Sequence, residues 1–216
     1  MTPMDQAVRR VLDEYEARSE AEEKRWQQLE PNTFVEERDK FLLAVGPATG
    51  LLMNLLVKES ESKVILEVGT SYGYSTVWLA EAARETGGRV ITLELHEDKQ
   101  RYARERLVQA GLAAFVDFKL GNATESLAKL DTNVDFVLLD LWKDLYVPCF
   151  DLFHPRLSAG AIVVADNMLY PEASRGHAAK YRKHVRSQGD MQSVLLPVGS
   201  GLEISRCVRG VSAVEV

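Results

Sequence analysis

From Lys63 onward, short runs of β-branched and apolar residues alternate with longer amphipathic stretches. The runs lie at 64–68, 89–95, 115–120, 134–141 and 161–166, and helical patterns near 75–86, 97–110, 122–129 and 144–157 separate them. This alternation is typical of right-handed βαβ crossovers, which build a largely parallel sheet with helices on both faces. The sequence therefore predicts an α/β fold with a doubly wound sheet.

The last part of the chain departs from this alternation. After a polar helical stretch near 174–188, the apolar runs SVLLPV and GLEISRCV meet around Gly199, Ser200 and Gly201. Two short apolar runs joined by glycines are typical of a β-hairpin. We therefore expect seven strands in total, mostly parallel, with an antiparallel C-terminal hairpin.

The N-terminal region is predicted to be helical. Apolar side chains at three- and four-residue spacing predict an amphipathic helix, namely Met4, Val8, Val11, Leu12 and Tyr15, and a second helix is expected near 48–59. We interpret the chain as one domain, with a helical arm at 1–45, a catalytic core at 46–208 and a tail at 209–216. The arm is either a lid or partner-facing helix, compatible with a homodimer, or a surface helix without a function.

Composition and charge exclude several classes of protein. The chain has 216 residues, 46% of them apolar, and a formal charge of −6, which fits a globular domain and argues against general nucleic-acid or anionic membrane binding. No apolar stretch approaches the roughly 18 residues of a membrane span, and early charges argue against a signal peptide. We expect a cytoplasmic protein in which Cys149 and Cys207 are buried, reduced thiols.

The segment ILEVGTSYGYS at 65–75 follows a predicted strand and opens a predicted helix. Gly69 and Gly73 allow a tight turn and a close approach to a ligand. Glu94, at the end of the next strand, suits the hydroxyls of a ribose. The spacing G-x-x-x-G differs from the dinucleotide pattern G-x-G-x-x-G, which argues against NAD or FAD. We predict a nucleotide-like ligand here; a tight turn without a ligand is the alternative.

Two further strand ends carry polar side chains. LLDLWKDLYVP at 138–148 places Asp140 and Lys143 three residues apart, and ADNMLYP at 165–171 places Asp166 and Asn167 at a neighbouring strand end. Two carboxylates and an amide oxygen are hard ligands of the kind that Mg²⁺ takes. The alternatives are a surface salt bridge for the first pair and helix N-caps for the acids.

These motifs resemble those of a known enzyme family. Glu67, Gly69, Gly73 and Glu94 resemble the cofactor site of class I S-adenosylmethionine-dependent methyltransferases, whose fold is Rossmann-like. The pattern D-x-W-K-D-x-Y followed by A-D-N resembles the catechol O-methyltransferase family and, more loosely, the caffeoyl-CoA O-methyltransferase family. The likeness covers roughly residues 41–208, and VGPATG at 45–50 resembles a segment that lies beside the cofactor in that family.

The resemblance implies S-adenosylmethionine and Mg²⁺ as cofactors and assigns a role to each matching position. The implied cofactor contacts are Val45, Glu67, Gly69, Tyr72, Gly73, Ser75, Glu94, Asn122, Ala123, Asp140 and Trp142. The implied metal ligands are Asp140, Asp166 and Asn167, and Lys143 matches the general base. The implied substrate contacts are Trp142, Lys143, Asn167 and Pro171.

Two departures from the family pattern bear on specificity. Leu141 replaces a histidine beside the adenine, and residues 191–202 contain no acid where the family has a substrate-orienting glutamate. We expect methyl transfer to a small catechol-like molecule. The open alternatives are the same chemistry on a hydroxylated tRNA base or a CoA-linked phenylpropanoid, a non-catalytic binding module, and an NAD-dependent oxidoreductase.

Overall fold

The computed structural model describes residues 4–28 and 37–210. The described residues form a seven-stranded sheet of β1 (Val64–Val68), β2 (Arg89–Glu94), β3 (Val116–Leu120), β4 (Val134–Leu139), β5 (Leu157–Ala165), β6 (Met191–Leu196) and β7 (Leu202–Cys207). Their α-helices are α1 (Gln6–Trp26), α2 (Pro47–Glu59), α3 (Tyr74–Thr86), α4 (Glu97–Gln109), α5 (Ala123–Ala128), α6 (Tyr146–Phe153) and α7 (Arg175–Arg186). Short 3₁₀ turns include Arg38–Lys40 and Lys143–Leu145.

The strand order is β3-β2-β1-β4-β5-β7-β6. The strands β1 to β5 are parallel, whereas β7 runs antiparallel to both β5 and β6. The predicted fold is therefore confirmed, including the C-terminal hairpin. The largest differences from the predicted ranges are that β5 begins at Leu157 and that the helix predicted at 144–157 is split into α6 and flanking 3₁₀ turns. Pro155 lacks an amide hydrogen and cannot continue an α-helical ladder.

Alternate side chains of the central strands pack on opposite faces of the sheet. In β4, Phe136 and Leu138 join the apolar layer that contains α1, α2 and α3, while Val137 and Leu139 join the layer beneath α6 and α7. This two-sided burial is expected of a parallel sheet covered by helices. The sheet therefore holds its carboxyl-terminal edge rigidly between two packed layers, and the polar strand ends lie at that edge.

Helix α1 packs on this domain through the residues predicted for its apolar face. Val8, Val11, Leu12 and Tyr15 are buried in the same layer as α3. The predicted amphipathic helix is thus confirmed. The three-part division of the domain stays a prediction, and residues 1–3 and 29–36 of the arm and 211–216 of the tail lie outside the described residues.

Two smaller predictions concern the thiols and membrane association. Cys149 and Cys207 are both buried and free, as predicted. Among the described residues, no helix has the length and apolar character needed to cross a membrane.

The turn after β1 requires glycine at its first position. Gly69 has φ +109°, and a Cβ there would overlap the main-chain carbonyl oxygen of Asp140. We expect Gly69→Ala to lower the free energy of unfolding by at least about 2 kcal/mol, because it adds backbone strain and displaces the adjacent chain. Urea denaturation measures the change.

Gly176→Ala is the matched control. A Cβ at Gly176, within α7, meets nothing within 4 Å, so alanine should be neutral or stabilising by up to about 1 kcal/mol. Equal stabilities of Gly69→Ala and the wild type would contradict the close approach.

Candidate active site

A tight turn links β1 to α3 at the carboxyl end of the sheet. The amides of Gly69 and Thr70 both donate to the Leu93 carbonyl, at 3.2 and 3.0 Å. Gly73 ends the turn with φ +93°, and a Cβ there would lie 2.7 Å from the Ala103 Cβ. Both glycines are therefore dictated by backbone geometry and close packing.

Glu67 lies beneath this turn and is fully buried. Its carboxylate accepts hydrogen bonds from the hydroxyls of Ser75 and Thr76, both at 2.6 Å, and of Thr92 at 2.5 Å. Burial raises the pKa of Glu67 to about 7, although these three hydrogen bonds act in the opposite direction. The carboxylate thus ties β1 to β2 and to the first turn of α3.

Glu94 supports the same turn from the end of β2. Its carboxylate accepts hydrogen bonds from the amides of Ser71 at 2.7 Å and His96 at 2.9 Å. A carboxylate has about four acceptor positions, so these two bonds leave capacity for the hydroxyls of a ligand. Glu94 is 8% exposed.

A cleft lies above the turn. One wall is formed by residues 42–45 and the other by residues of the turn and the start of α3, with Asp140 also in its lining. Five of the predicted cofactor contacts line this cleft: Val45, Gly69, Tyr72, Ser75 and Asp140.

A polar cluster centred on Lys143 lies at the adjacent ends of β4 and β5. The Lys143 Nζ lies 2.6 Å from the Tyr146 hydroxyl, 2.7 Å from Asn167 Oδ1 and 3.3 Å from Asp140 Oδ1. It also donates to the Leu141 carbonyl at 3.1 Å. The structure therefore brings together the predicted base and two of the predicted metal ligands.

Asp166, the third predicted metal ligand, lies in the same cluster and is 2% exposed. Its Oδ1 accepts the Asn167 amide at 2.6 Å, and Tyr146 donates its hydroxyl to the Asp166 carbonyl at 3.2 Å. Burial, followed by the charge of Asp140, raises the pKa of Asp166 to about 7. Burial and the same two aspartates also raise the pKa of Tyr146, so its hydroxyl stays protonated at neutral pH.

The donor set is compatible with a divalent cation. Asp140, Asp166 and Asn167 supply carboxylate and amide oxygens from two neighbouring strand ends, which suits Mg²⁺. Burial is the main cause of the raised pKa of Asp166, and repulsion by Asp140 is the second. A cation between the two acids would relieve that repulsion. Within the described ranges, no group of three or more histidine, cysteine, aspartate or glutamate side chains converges as a metal site.

Four predicted residues lie at the margins of this site. Asn122 accepts hydrogen bonds from Thr124 and Glu125 as the N-cap of α5, one residue after Gly121, whose amide donates to the Glu94 carbonyl. Ala123 is the first residue of α5. Trp142 is 41% exposed and immediately precedes Lys143, and the exposed Pro171 lies in the segment between β5 and α7.

Sequence reasoning assigned no role to two residues, Tyr146 and Thr92. Tyr146 has the shortest polar contact to Lys143. It follows the lysine by three residues, about one helical turn, and this spacing indicates that the two side chains are neighbours. Thr92 is a polar residue among the apolar residues of β2, and its hydroxyl donates a hydrogen bond to Glu67. A buried polar residue requires a partner, so Thr92 was a recognisable signal.

Comparison with known proteins gives consistent matches. A protein-family model described as a methyltransferase domain matches residues 66–168. Catechol O-methyltransferase of Sus scrofa is 31% identical over 173 residues, covering 77% of this chain and 89% of the relative. Catechol O-methyltransferase of Niastella koreensis is 33% identical over 131 residues, covering 59% of each chain.

A solved structure matches over nearly the whole chain. The O-methyltransferase TomG from Streptomyces achromogenes, solved in complex with S-adenosylmethionine, superposes with a TM-score of 0.73 at 26% identity, covering 94% of this chain and 90% of TomG. The match to several curated catechol O-methyltransferases spans only 55–64% of their length. Together with the fold and the clustered motifs, these matches show that the chain belongs to the catechol O-methyltransferase family of S-adenosylmethionine-dependent O-methyltransferases.

Proposed function

We propose that this chain transfers the methyl group of S-adenosylmethionine to one hydroxyl of a catechol-like small molecule, and that the reaction depends on Mg²⁺. The observation that carries the proposal is the position of Lys143. Its Nζ lies 3.3 Å from Asp140, and Asp140 also lines the cleft above the glycine turn. Asp140 thus contacts the proposed base and also lines the proposed cofactor cleft. This arrangement suits the transfer of a methyl group from a bound cofactor to a bound acceptor.

In this proposal the cofactor occupies the cleft between residues 42–45 and the glycine turn. Glu94 binds the ribose hydroxyls, and the main chain at Gly69 lies against the methionine part. Glu67 lies beneath the turn and holds it in place, because its carboxylate accepts hydrogen bonds from three hydroxyl groups. Asn122 and Ala123 border the adenine side, and Leu141 gives that side an apolar contact.

The cofactor and the metal ion supply the reactive groups that the chain lacks. When bound, S-adenosylmethionine provides an electrophilic methyl group, and Mg²⁺ provides positive charge that lowers the pKa of a chelated hydroxyl. Asp140, Asp166 and Asn167 would hold the metal ion. Their hard oxygen donors support this assignment, and the same donors suit Mn²⁺.

The chain's own contribution to the reaction is to orient the acceptor and remove its proton. Lys143, in its neutral form, accepts the proton of the attacking hydroxyl and becomes an ammonium ion, and the Tyr146 hydroxyl, 2.6 Å from its Nζ, holds the nitrogen in place. Trp142 and Pro171 flank the aromatic ring of the acceptor. Holding two reactants in near-attack geometry is worth on the order of 7 to 11 kcal/mol.

Other functions fit the site less well. An NAD-dependent oxidoreductase would require a glycine pattern that residues 69–73 lack. A non-catalytic binding module would have no use for a lysine surrounded by Asp140, Tyr146 and Asn167. A hydroxylated tRNA base and a CoA-linked phenylpropanoid would use the same catalytic groups. A cytoplasmic location and a homodimer stay predictions from the sequence.

The proposal predicts methyl transfer from labelled S-adenosylmethionine to catechol that EDTA abolishes and Mg²⁺ restores. Phenol should react at least about 100-fold more slowly, because it has no adjacent hydroxyl with which to chelate the metal. Initial rates with the two acceptors, with and without EDTA, measure both effects. Equal rates for phenol and catechol would contradict the chelate. Cofactor binding without transfer to catechol would favour the tRNA or CoA-linked acceptor.

Replacing the proposed base should affect the chemical step. We expect Lys143→Ala to lower kcat by about 100-fold or more, which is the usual contribution of a positioned general base. The KM for S-adenosylmethionine should change less than about threefold, because Lys143 is absent from the cleft lining. Lys183→Ala, on the exposed face of α7, is the control. Unchanged kcat in Lys143→Ala would remove the lysine from the mechanism.

The ribose contact and the support that Glu94 gives the glycine turn both predict an effect on cofactor binding. Glu94→Ala should raise the Kd for S-adenosylhomocysteine at least about tenfold, because a charged acceptor of two hydroxyls is lost. Glu97→Ala, three residues later and exposed, should bind like the wild type. Isothermal titration calorimetry on both variants makes the comparison. Equal affinities for the two variants would place the ribose elsewhere.

A further inference from the structure

Helix α1 carries a stripe of side chains that runs beyond its apolar face. Tyr15, Arg18, Glu22 and Trp26 follow one another at spacings of three, four and four residues, so they share one face of the helix. The first half of α1 is held in the core by Val8, Val11 and Leu12. The stripe therefore projects from a fixed helix toward residues 37–42 and the glycine turn.

Tyr15 and Arg18, the first two residues of the stripe, contact the wall of the cleft that the glycine turn forms. The Tyr15 hydroxyl donates to the Tyr72 carbonyl at 2.5 Å. The Arg18 guanidinium carbon lies 4.1 Å from the centre of the Tyr72 ring and 5.1 Å from that of Tyr102. A guanidinium over an aromatic face at this distance is attractive, so Arg18 and Tyr15 hold the turn from outside.

Glu22 contacts the opposite wall. Its Oε2 accepts the Leu42 amide at 2.6 Å, and its Oε1 pairs with Arg18 Nε at 2.7 Å. The side chains of Arg18 and Glu22 are 24% and 21% exposed, so water screens the pair only in part. Leu42 lines the cleft. Glu22 therefore connects the two walls. It pairs with Arg18, which contacts the Tyr72 ring of the glycine turn, and it accepts the Leu42 amide of the 42–45 wall.

Three polar contacts of residues 39–42 are longer than the bond from the Leu42 amide to Glu22. The Tyr72 hydroxyl donates to the Lys40 carbonyl at 3.3 Å, Ser71 Oγ donates to the Leu42 carbonyl at 3.5 Å, and Lys99 lies 3.7 Å from Asp39. A short hydrogen bond to a carboxylate is roughly twice as strong as a neutral one. Glu22 therefore contributes more to the position of Leu42 than any of these three contacts.

We propose that Glu22 is a positioning residue for the cofactor site, which, together with Arg18, fixes the separation of the two cleft walls before the cofactor binds. Loss of its carboxylate deprives the Leu42 amide of its acceptor and loosens the 42–45 wall, which then depends on the buried side chains of Leu42 and Val45. The cofactor must then order that wall on binding, which weakens its affinity. The chemical step, which involves Lys143, is unaffected. This inference rests on the proposed function, because it places the cofactor in this cleft.

Three variants of the full chain test the assignment. Glu22→Ala removes the acceptor, Glu22→Gln keeps an oxygen for the Leu42 amide without the charge, and Glu20→Ala removes an exposed acid from the same helix. The readouts are the Kd for S-adenosylhomocysteine by calorimetry, kcat at saturating S-adenosylmethionine, and hydrogen exchange of the Leu42 amide by NMR.

In Glu22→Ala we expect the Kd to rise about tenfold, kcat to stay within about twofold, and the Leu42 amide to exchange at least about tenfold faster. Glu22→Gln should restore the Kd to within about threefold of the wild type, and Glu20→Ala should match the wild type. An unchanged Kd in Glu22→Ala, with a wild type that binds normally, would overturn the assignment alone. A wild type that binds no S-adenosylhomocysteine would overturn the proposed function and this assignment with it.

Discussion

The close approach of two main-chain segments at the centre of the sheet determines where the rest of the site lies. Gly69 has no side chain at the point where the Asp140 carbonyl passes it, and the Asp140 amide donates to the Val68 carbonyl at 3.0 Å. The strand order of this sheet reverses between β1 and β4, and ligands of open α/β sheets bind at such a point. The glycine turn and the Lys143 cluster therefore share one edge of the sheet.

The buried acids of this edge differ in how their charge is stabilised. Glu67 is surrounded by three hydroxyl donors and Glu94 accepts two main-chain amides, so both act as fixed supports of the turn. Asp166 has one amide donor, and burial, followed by the charge of Asp140, raises its pKa to about 7. Glu67 and Glu94 thus have two or three hydrogen-bond donors from the chain, whereas Asp166 has one, and positive charge between Asp166 and Asp140 would offset the repulsion between them. Burial raises the pKa of Glu67 to about 7 as well, so the two kinds of acid differ in their donors and not in their pKa.

The sequence predicted which strand ends meet but not how their side chains are held. Parallel strands end at the same edge of a sheet. The sequence therefore predicts that Asp140 and Lys143 lie close to Asp166 and Asn167. The hydroxyl shell of Glu67 depends on the register between β1 and β2, which the residue pattern does not specify. Asn122 is the N-cap of α5, which is a common position for asparagine. The link from Glu22 to Leu42 spans 20 residues and has no local signal.

We propose that the cleft and the Lys143 cluster form one active site. A crystal structure of the chain with S-adenosylhomocysteine, Mg²⁺ and catechol would test it most directly. We expect the ribose to contact Glu94, the sulfur to face the Lys143 cluster, and the metal ion to be bound by Asp140, Asp166 and Asn167, with catechol bound to the metal ion. S-adenosylhomocysteine bound outside the cleft, or a metal ion bound away from these three residues, would contradict it.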